Sequence, residues 1–438
     1  GSWRNGSLCP ITIPMPCPLS PTIRAASCAV GRPLIQWSRS AACRAISRNG
    51  KPPAQRDGAG TASSNITKSW RPTPITARPG LRQSTAISYL TADVRARPNL
   101  EIRSDCFAER LVFEGTRCTG VAVRSNGVTE TLYGTEIVVS GGSLQSPALL
   151  MRSGIGPAAS LKEHGIDVIA DRAGVGQNLH EHPTCILAAH LRFNGMQNAG
   201  LRAAGNAALR HSSKLEGCPP HDFYTAIANK VSWHPLGTRI GGAIVAVVKP
   251  YSRGAVTLKS ADASVNPRVA FHVLEDERDM IRMKMGLRLF YEIFHSPAVR
   301  EVTTEAFPAA FSARVRELNR ETRANWWKSF AGSLLMDLPG PFRRAALRTL
   351  IAPGPTLAEI FATDETLETW IRENCRGFFH PVGTCRFGAA DDPLAVVDPA
   401  GLVHGVQGLR VRHAHHHAGQ HESHGHYDRR ENCGYGEG

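Results

Sequence analysis

One stretch constrains this chain more than any other. Glu136-Ile137-Val138-Val139-Ser140 reads as a buried-type strand, and it runs straight into Gly141-Gly142. A helix start follows. Ser146 is an N-cap type and Pro147 suits the first helical position, with Ala148, Leu149, Leu150 and Met151 behind. Ser153-Gly154-Ile155-Gly156-Pro157 stops that helix. A strand, a glycine turn and a helix start make a place where backbone approaches a phosphate or a flat ring closely. Many α/β turns carry glycines for packing alone, so the pattern by itself leaves both readings open.

Short strands are expected before it, at Leu100–Arg103, Arg110–Phe113, Gly120–Val123 and Thr129–Tyr133, with Asn126-Gly127 as a hairpin turn. After it, residues 184–370 form a second region. Ala243–Val248 and Gly254–Leu258 read as strands, and Arg282–Phe294 has helical spacing of Met283, Met285, Leu287, Leu289, Phe290 and Ile293. Strands and helices in runs point to an α+β unit. Trp326-Trp327 and Met336 are pocket candidates, but core packing is the commoner fate of such residues.

Composition sets outer bounds. With 42% hydrophobic and 20% charged residues over 438 positions, the chain is neither an acidic disordered segment nor a small disulfide scaffold. No run of about 18 apolar residues predicts a spanning helix, and no secretory signal is readable, so a cytoplasmic location is expected. The eleven cysteines show no C-x-x-C pair and read as free thiols, not metal ligands. The net charge of +14 is concentrated: residues 1–79 hold eleven Lys+Arg against one acid, Asp57, together with 11 of the 29 prolines. The remainder is nearly balanced, with 40 basic and 36 acidic residues, so no nucleic-acid partner is expected of the bulk. Gly58–Ser63 brushes against a dinucleotide loop but lacks a third Gly, a preceding strand and a following helix.

The run Gly142-Ser143-Leu144-Gln145-Ser146-Pro147-Ala148-Leu149-Leu150-Met151-Arg152-Ser153-Gly154-Ile155-Gly156 resembles the second signature of the glucose–methanol–choline (GMC) oxidoreductases, FAD-dependent alcohol oxidases and dehydrogenases. Gly174–Pro183 (Gly-Val-Gly-Gln-Asn-Leu-His-Glu-His-Pro) fits downstream. So do Tyr251-Ser252-Arg253-Gly254, Phe379–Arg386 (Phe-His-Pro-Val-Gly-Thr-Cys-Arg) and Val403–Val411. Upstream, Arg82–Ala86, Tyr89-Leu90 and Arg97–Leu100 fit as well. The resemblance implies an α/β FAD-binding domain plus an α+β substrate domain on an antiparallel sheet. Along the chain this divides into 1–79 as a non-homologous irregular segment, 80–183 as part of the FAD domain and 184–370 as the substrate domain. Residues 371–411 then return to the FAD domain, and 412–438 form an aberrant tail. The implied chemistry is removal of two hydrogens from a small alcohol, with an electron acceptor that the sequence does not specify. By position His380 matches the family's catalytic histidine: an imidazole near its working pKa takes the hydroxyl proton while the carbon gives hydride to the flavin. Ala108 sits where the family usually has a Val whose backbone touches the adenine.

Two departures from the family pattern stand out. The family opens with a strand and G-x-G-x-x-G that hold the FAD pyrophosphate on backbone N–H groups, and nothing in residues 1–79 supplies them. After Val411 the sequence turns to Arg412-His413-Ala414-His415-His416-His417, then His421, His424 and His426. Clustered imidazoles suggest a metal tail. Reading codon bases two and three with the next first base, from Gln420 onward, permits Asn-Thr-Asn-x-Thr-Ala-Thr-Met-Ile-Ala-Glu-Lys, which is how the family ends. The preferred reading is a one-base frameshift near codons 411–413, with no metal site. The Asn that the family pairs with its histidine then straddles Glu422 and Ser423, and neither inherits the role. The expectation is a damaged or mis-translated alcohol dehydrogenase or oxidase with weak or no FAD binding and no turnover. The rivals are a non-enzymatic interaction remnant, an anionic-surface binder acting through 1–79, and a His-tail metal protein.

Overall fold

The computed structural model describes residues 89–197, 205–309 and 312–412. Residues 1–79, Arg82–Ala86 and the histidine tail with Glu422 and Ser423 lie outside the described residues. Three strands, β1 (Cys106–Glu114), β2 (Arg117–Ser125) and β3 (Val128–Tyr133), form an antiparallel meander in that order. Asn126-Gly127 makes the β2–β3 turn with φ of 51° and 82°, the left-handed pair that a two-residue hairpin demands. The strand expected at Leu100–Arg103 does not form. Ile102 there is exposed, and Arg103 pairs with Glu101 and with Glu130, so the segment finds no ladder for its backbone.

β4 (Ile137–Val139) pairs in parallel with Leu409–Val411 from the far end of the described chain. α1 (Gly142–Arg152) follows, and here the structure corrects the sequence reading: the helix begins at Gly142, four residues before Ser146, with Pro147 inside it. A proline there removes the N–H that would bond Ser143 O. Thr384 Oγ1 donates to that carbonyl instead, at 2.6 Å, and Ser143 Oγ donates to Pro381 O at 2.5 Å. The interior proline is tolerated because its orphaned carbonyl is satisfied from another segment. The same two bonds tie α1 to the 381–384 segment. Leu149, Leu150 and Met151 of α1 pack with Leu111, Val121, Val139, Leu409 and Val411 into one apolar core.

The larger layer is antiparallel throughout. Its parts in chain order are β5 (Pro183–Leu191), β6 (Gly205–His211), β7 (Phe223–Ala228), β8 (Ile240–Val247), α2 (Glu277–His295), β9 (Thr303–Ala309), α3 (Arg323–Met336), α4 (Gly340–Ala346), α5 (Asp364–Asn374) and β10 (Arg376–Gly377). The spatial order is β9-β5-β8-β7-β6, with β10 beside the start of β5. Both sheet faces are covered. Cys185 and Leu187 of β5 with Val245 and Val247 of β8 meet Met280, Met283, Leu287 and Phe290 of α2 and Trp370 and Ile371 of α5. Ala188, Ile240 and Phe307 meet Met336 on the other face. Each large side chain so buried contributes about 2 kcal/mol. The fold is thus mixed, a parallel pair with its helix and meander beside an antiparallel sheet with helices, as the sequence implies.

Inside the α2 layer lies a fully buried charge cluster. Arg282 donates to Asp222 Oδ2 at 3.2 Å and to Asp279 Oδ1 at 2.5 Å, all three side chains being inaccessible. Asp279 also accepts from Tyr251 N and from Ser252 N and Oγ, which fixes the Tyr251–Gly254 turn. Gly254 in turn pairs with Leu179 through two backbone bonds. The cluster therefore anchors the segment that leads into the site.

Candidate active site

Two segments about two hundred positions apart build the site. Residues 176–184 and 376–384 run antiparallel: Gly176 N donates to Thr384 O at 2.9 Å, His180 N to Val382 O at 2.8 Å, Val382 N to His180 O at 3.0 Å, and Phe378 N to His182 O at 3.0 Å. Between the His180–Val382 pair and the His182–Phe378 pair, Glu181 stands opposite three residues, Phe379, His380 and Pro381. The strand bulges there, and Phe379 takes a φ of 62°. A bulge leaves N–H groups that no ladder satisfies. Pro381 has none, and Glu181 accepts the others. Its Oε1 accepts from His182 N at 2.8 Å, Phe378 N at 3.2 Å and His380 N at 3.0 Å, and its Oε2 from His380 N at 3.0 Å.

Two glycines make the approach possible. A Cβ on Gly377 would stand 2.7 Å from Glu181 Cγ. Gly383 has a φ of 101°, and a Cβ there would stand 2.4 Å from Asn178 O. Asn178 closes this edge, with Nδ2 donating to Gly383 O at 3.1 Å and Oδ1 at 2.9 Å from His180 Nε2.

Glu181 is buried, and that burial pushes its carboxyl up to about 7 against the downward pull of the N–H groups it accepts. His182 is buried as well. Its Nδ1 lies 3.4 Å from His380 Nδ1, with the rings edge-on and 5.4 Å between centroids. The His380 side chain is exposed. The protein around it nonetheless desolvates the imidazolium and lowers its pKa. That shift favours the neutral imidazole, the form that accepts a proton. Phe378, with its ring 4.9 Å from that of His380, and Tyr224, 6.2 Å from Phe378, form an aromatic wall beside it.

Ala108 is buried in β1, away from His380. Its neighbour Glu109 O accepts from Arg152 Nε at 3.1 Å, and Leu111 N donates to Ser153 Oγ at 2.8 Å, both at the C-terminal end of α1. Pro381 is tied to Ser143 at the other end of the helix. An 11-residue helix, about 16 Å long, thus separates the two positions singled out from sequence. Glu181 and His182 carried no role in the sequence reading, although both stand in the Gly174–Pro183 run. Adjacent titratable residues just before a strand were the available signal, but only the fold shows which N–H groups Glu181 accepts.

GMC oxidoreductase family models match residues 44–184 and 250–414, and the two matches include both segments of the site. The chain belongs to the GMC oxidoreductase family. Among curated relatives, 5-(hydroxymethyl)furfural oxidase of Methylovorus sp. is 35% identical over 347 residues, covering 78% of this chain and 57% of the relative. Oxygen-dependent choline dehydrogenase of Brucella ovis is 32% identical over 369 residues, with the same two shares. The chain thus spans little more than half the length of these relatives. Pyridoxine 4-oxidase from Mesorbium loti shares the fold, with a TM-score of 0.58 at 21% identity, covering 76% of this GMC chain and 57% of that one. Formate oxidase does so with a TM-score of 0.55 at 21% identity, covering 73% and 56%. The match from residue 44 begins ahead of Gly80, where the texture of the sequence changes.

Proposed function

We propose that the chemistry of this site is FAD-dependent oxidation of a small alcohol, choline-like or aliphatic, with His380 as the base. The observation that carries the reading is an exposed imidazole of lowered pKa on a bulge whose N–H groups Glu181 accepts. His380 Nε2 takes the hydroxyl proton. His182 Nδ1 contacts His380 Nδ1 and so sets the ring's tautomer and orientation. Glu181 holds the main chain beneath the ring, and the Phe378–Tyr224 wall keeps water from that side. FAD, when bound, supplies the hydride acceptor. The family and its FAD-dependent members support that coenzyme.

The described residues fit the coenzyme at its ends and not between them. His380 and Ala108 stand at opposite ends of α1, a separation that an extended dinucleotide spans. No strand followed by G-x-G-x-x-G stands among the described residues to cradle the pyrophosphate. We infer that this protein binds FAD weakly or not at all, without turnover. The six described cysteines are free, which supports a reducing, cytoplasmic setting.

Two measurements test the reading. Purified chain is expected to carry well under one flavin per polypeptide by absorbance; stoichiometric flavin contradicts the impairment. Fusing a strand–G-x-G-x-x-G segment in front and an Asn-bearing family tail behind is expected to restore alcohol turnover. His380→Ala in that fusion then lowers kcat by roughly 10²–10⁴-fold; unchanged kcat removes His380 from the mechanism.

A further inference from the structure

α3 is built inside out. Its buried side chains are Asn325, Ser329, Ser333 and Met336. The polar three are satisfied locally, Asn325 Nδ2 donating to Glu317 O, Ser329 Oγ to Trp326 O and Ser333 Oγ to Phe330 O. The large apolar residues face outward instead: Trp326, Trp327 (63% exposed), Phe330, Leu334 and, from α4, Phe342 (65% exposed). At about 100° per residue, positions 326, 327, 330 and 334 fall within one stripe. The rings form a preassembled plate, with Trp326 stacked on Phe330 at 5.5 Å and 5° and edge-on to Trp327 at 4.8 Å. Core packing, the fate expected from sequence, holds for Met336 and fails for the two tryptophans.

The segment that carries the plate is basic. Residues 312–348 hold eight Lys+Arg against Glu317, Glu321 and Asp337. Arg314, Arg316, Arg323, Lys328 and Arg348 are exposed and form no ion pair among the described residues. A second copy docked by the same face would set these cations against one another. An exposed plate of Trp, Phe and Leu on a segment rich in Arg and Lys matches instead the interface of an anionic bilayer, where apolar rings enter the headgroup boundary and cations meet lipid charge. No described helix is long and apolar enough to cross a membrane, so the contact is one of lying on the surface. We propose that the outward face of α3 and α4 docks on an anionic phospholipid membrane surface.

Co-sedimentation of the purified chain with phosphatidylcholine vesicles, with and without one-quarter phosphatidylglycerol, tests this. The partition coefficient is expected to be at least tenfold higher on the anionic vesicles and to fall between low and high salt. The double substitution Trp327→Ser with Phe342→Ser is expected to lower it at least tenfold with an unchanged unfolding midpoint. Arg323→Glu with Lys328→Glu, which leaves the plate intact, is expected to lower it as well. Three results overturn the proposal: no partition onto anionic vesicles at low salt; partition unaffected by either double variant, which assigns it to the basic residues 1–79; or concentration-dependent self-association lost in the Trp327/Phe342 variant, which makes a second copy the occupant.

Discussion

Two buried carboxylate centres use the same device and reach different ends. Asp279 accepts backbone N–H groups of the Tyr251–Ser252 turn, and Glu181 accepts those of the His380 bulge. Asp279 has a buried guanidinium against it, shared with Asp222. Among the described residues Glu181 has only N–H dipoles against it, and burial carries its carboxyl to about 7. The carboxylate of Asp279, paired with the guanidinium, serves as a structural pin. One without a cation is poised to titrate near neutrality, and it lies directly beneath the candidate base. The partner, not the acceptor pattern, separates architecture from chemistry here.

The comparison is broken most severely by removing that partner. Arg282→Met leaves Asp222 and Asp279 buried with no cation and is expected to cost about 3–5 kcal/mol in urea unfolding, enough to unfold much of the population. A loss below about 1 kcal/mol would mean that the two carboxylates are not held as a charged cluster.

The Glu181 centre has a pH signature instead. Its folded value of about 7 lies above the ordinary 4.5, so the folded state holds this proton longer than the unfolded chain does. Its contribution is fully present below about pH 4.5, is lost as pH rises from there to 7, and is flat beyond. The span is on the order of 3 kcal/mol. Glu181→Gln is expected to erase that slope in unfolding measured from pH 4 to 8, while parallel slopes in both proteins would place the titration elsewhere. A smaller effect sharpens the backbone side of the account. Gly383→Ala forces a side chain onto a φ of 101° and against Asn178 O, and is expected to cost about 2 kcal/mol, read as a lower unfolding midpoint.

Much of the scaffold was legible because it rests on local rules. The Asn126-Gly127 hairpin, the strand into Gly141-Gly142 and the Met283–Phe290 face of α2 all follow from turn chemistry and periodicity. The start of α1 was not legible, because Pro147 mimics a first-turn proline until Thr384 is known to take the Ser143 carbonyl. The site was half legible. His380 stood out through its family motif, but Glu181 acts on N–H groups nearly two hundred positions away, a relation that no periodicity encodes. The outward tryptophans of α3 escaped for the opposite reason: aromatic residues at helical spacing ordinarily face a core.

The central claim is that a Glu181-held bulge presents His380 as a neutral base. Titration of ¹⁵N-labelled histidines by NMR, in the unmodified protein and in Glu181→Ala, tests it most directly. The account predicts that His380 is neutral at pH 7 and titrates below the ordinary histidine value of about 6.5, moving back toward that value when the bulge loses its acceptor. A His380 that titrates at or above the ordinary value in the unmodified protein, or is indifferent to Glu181, would contradict it.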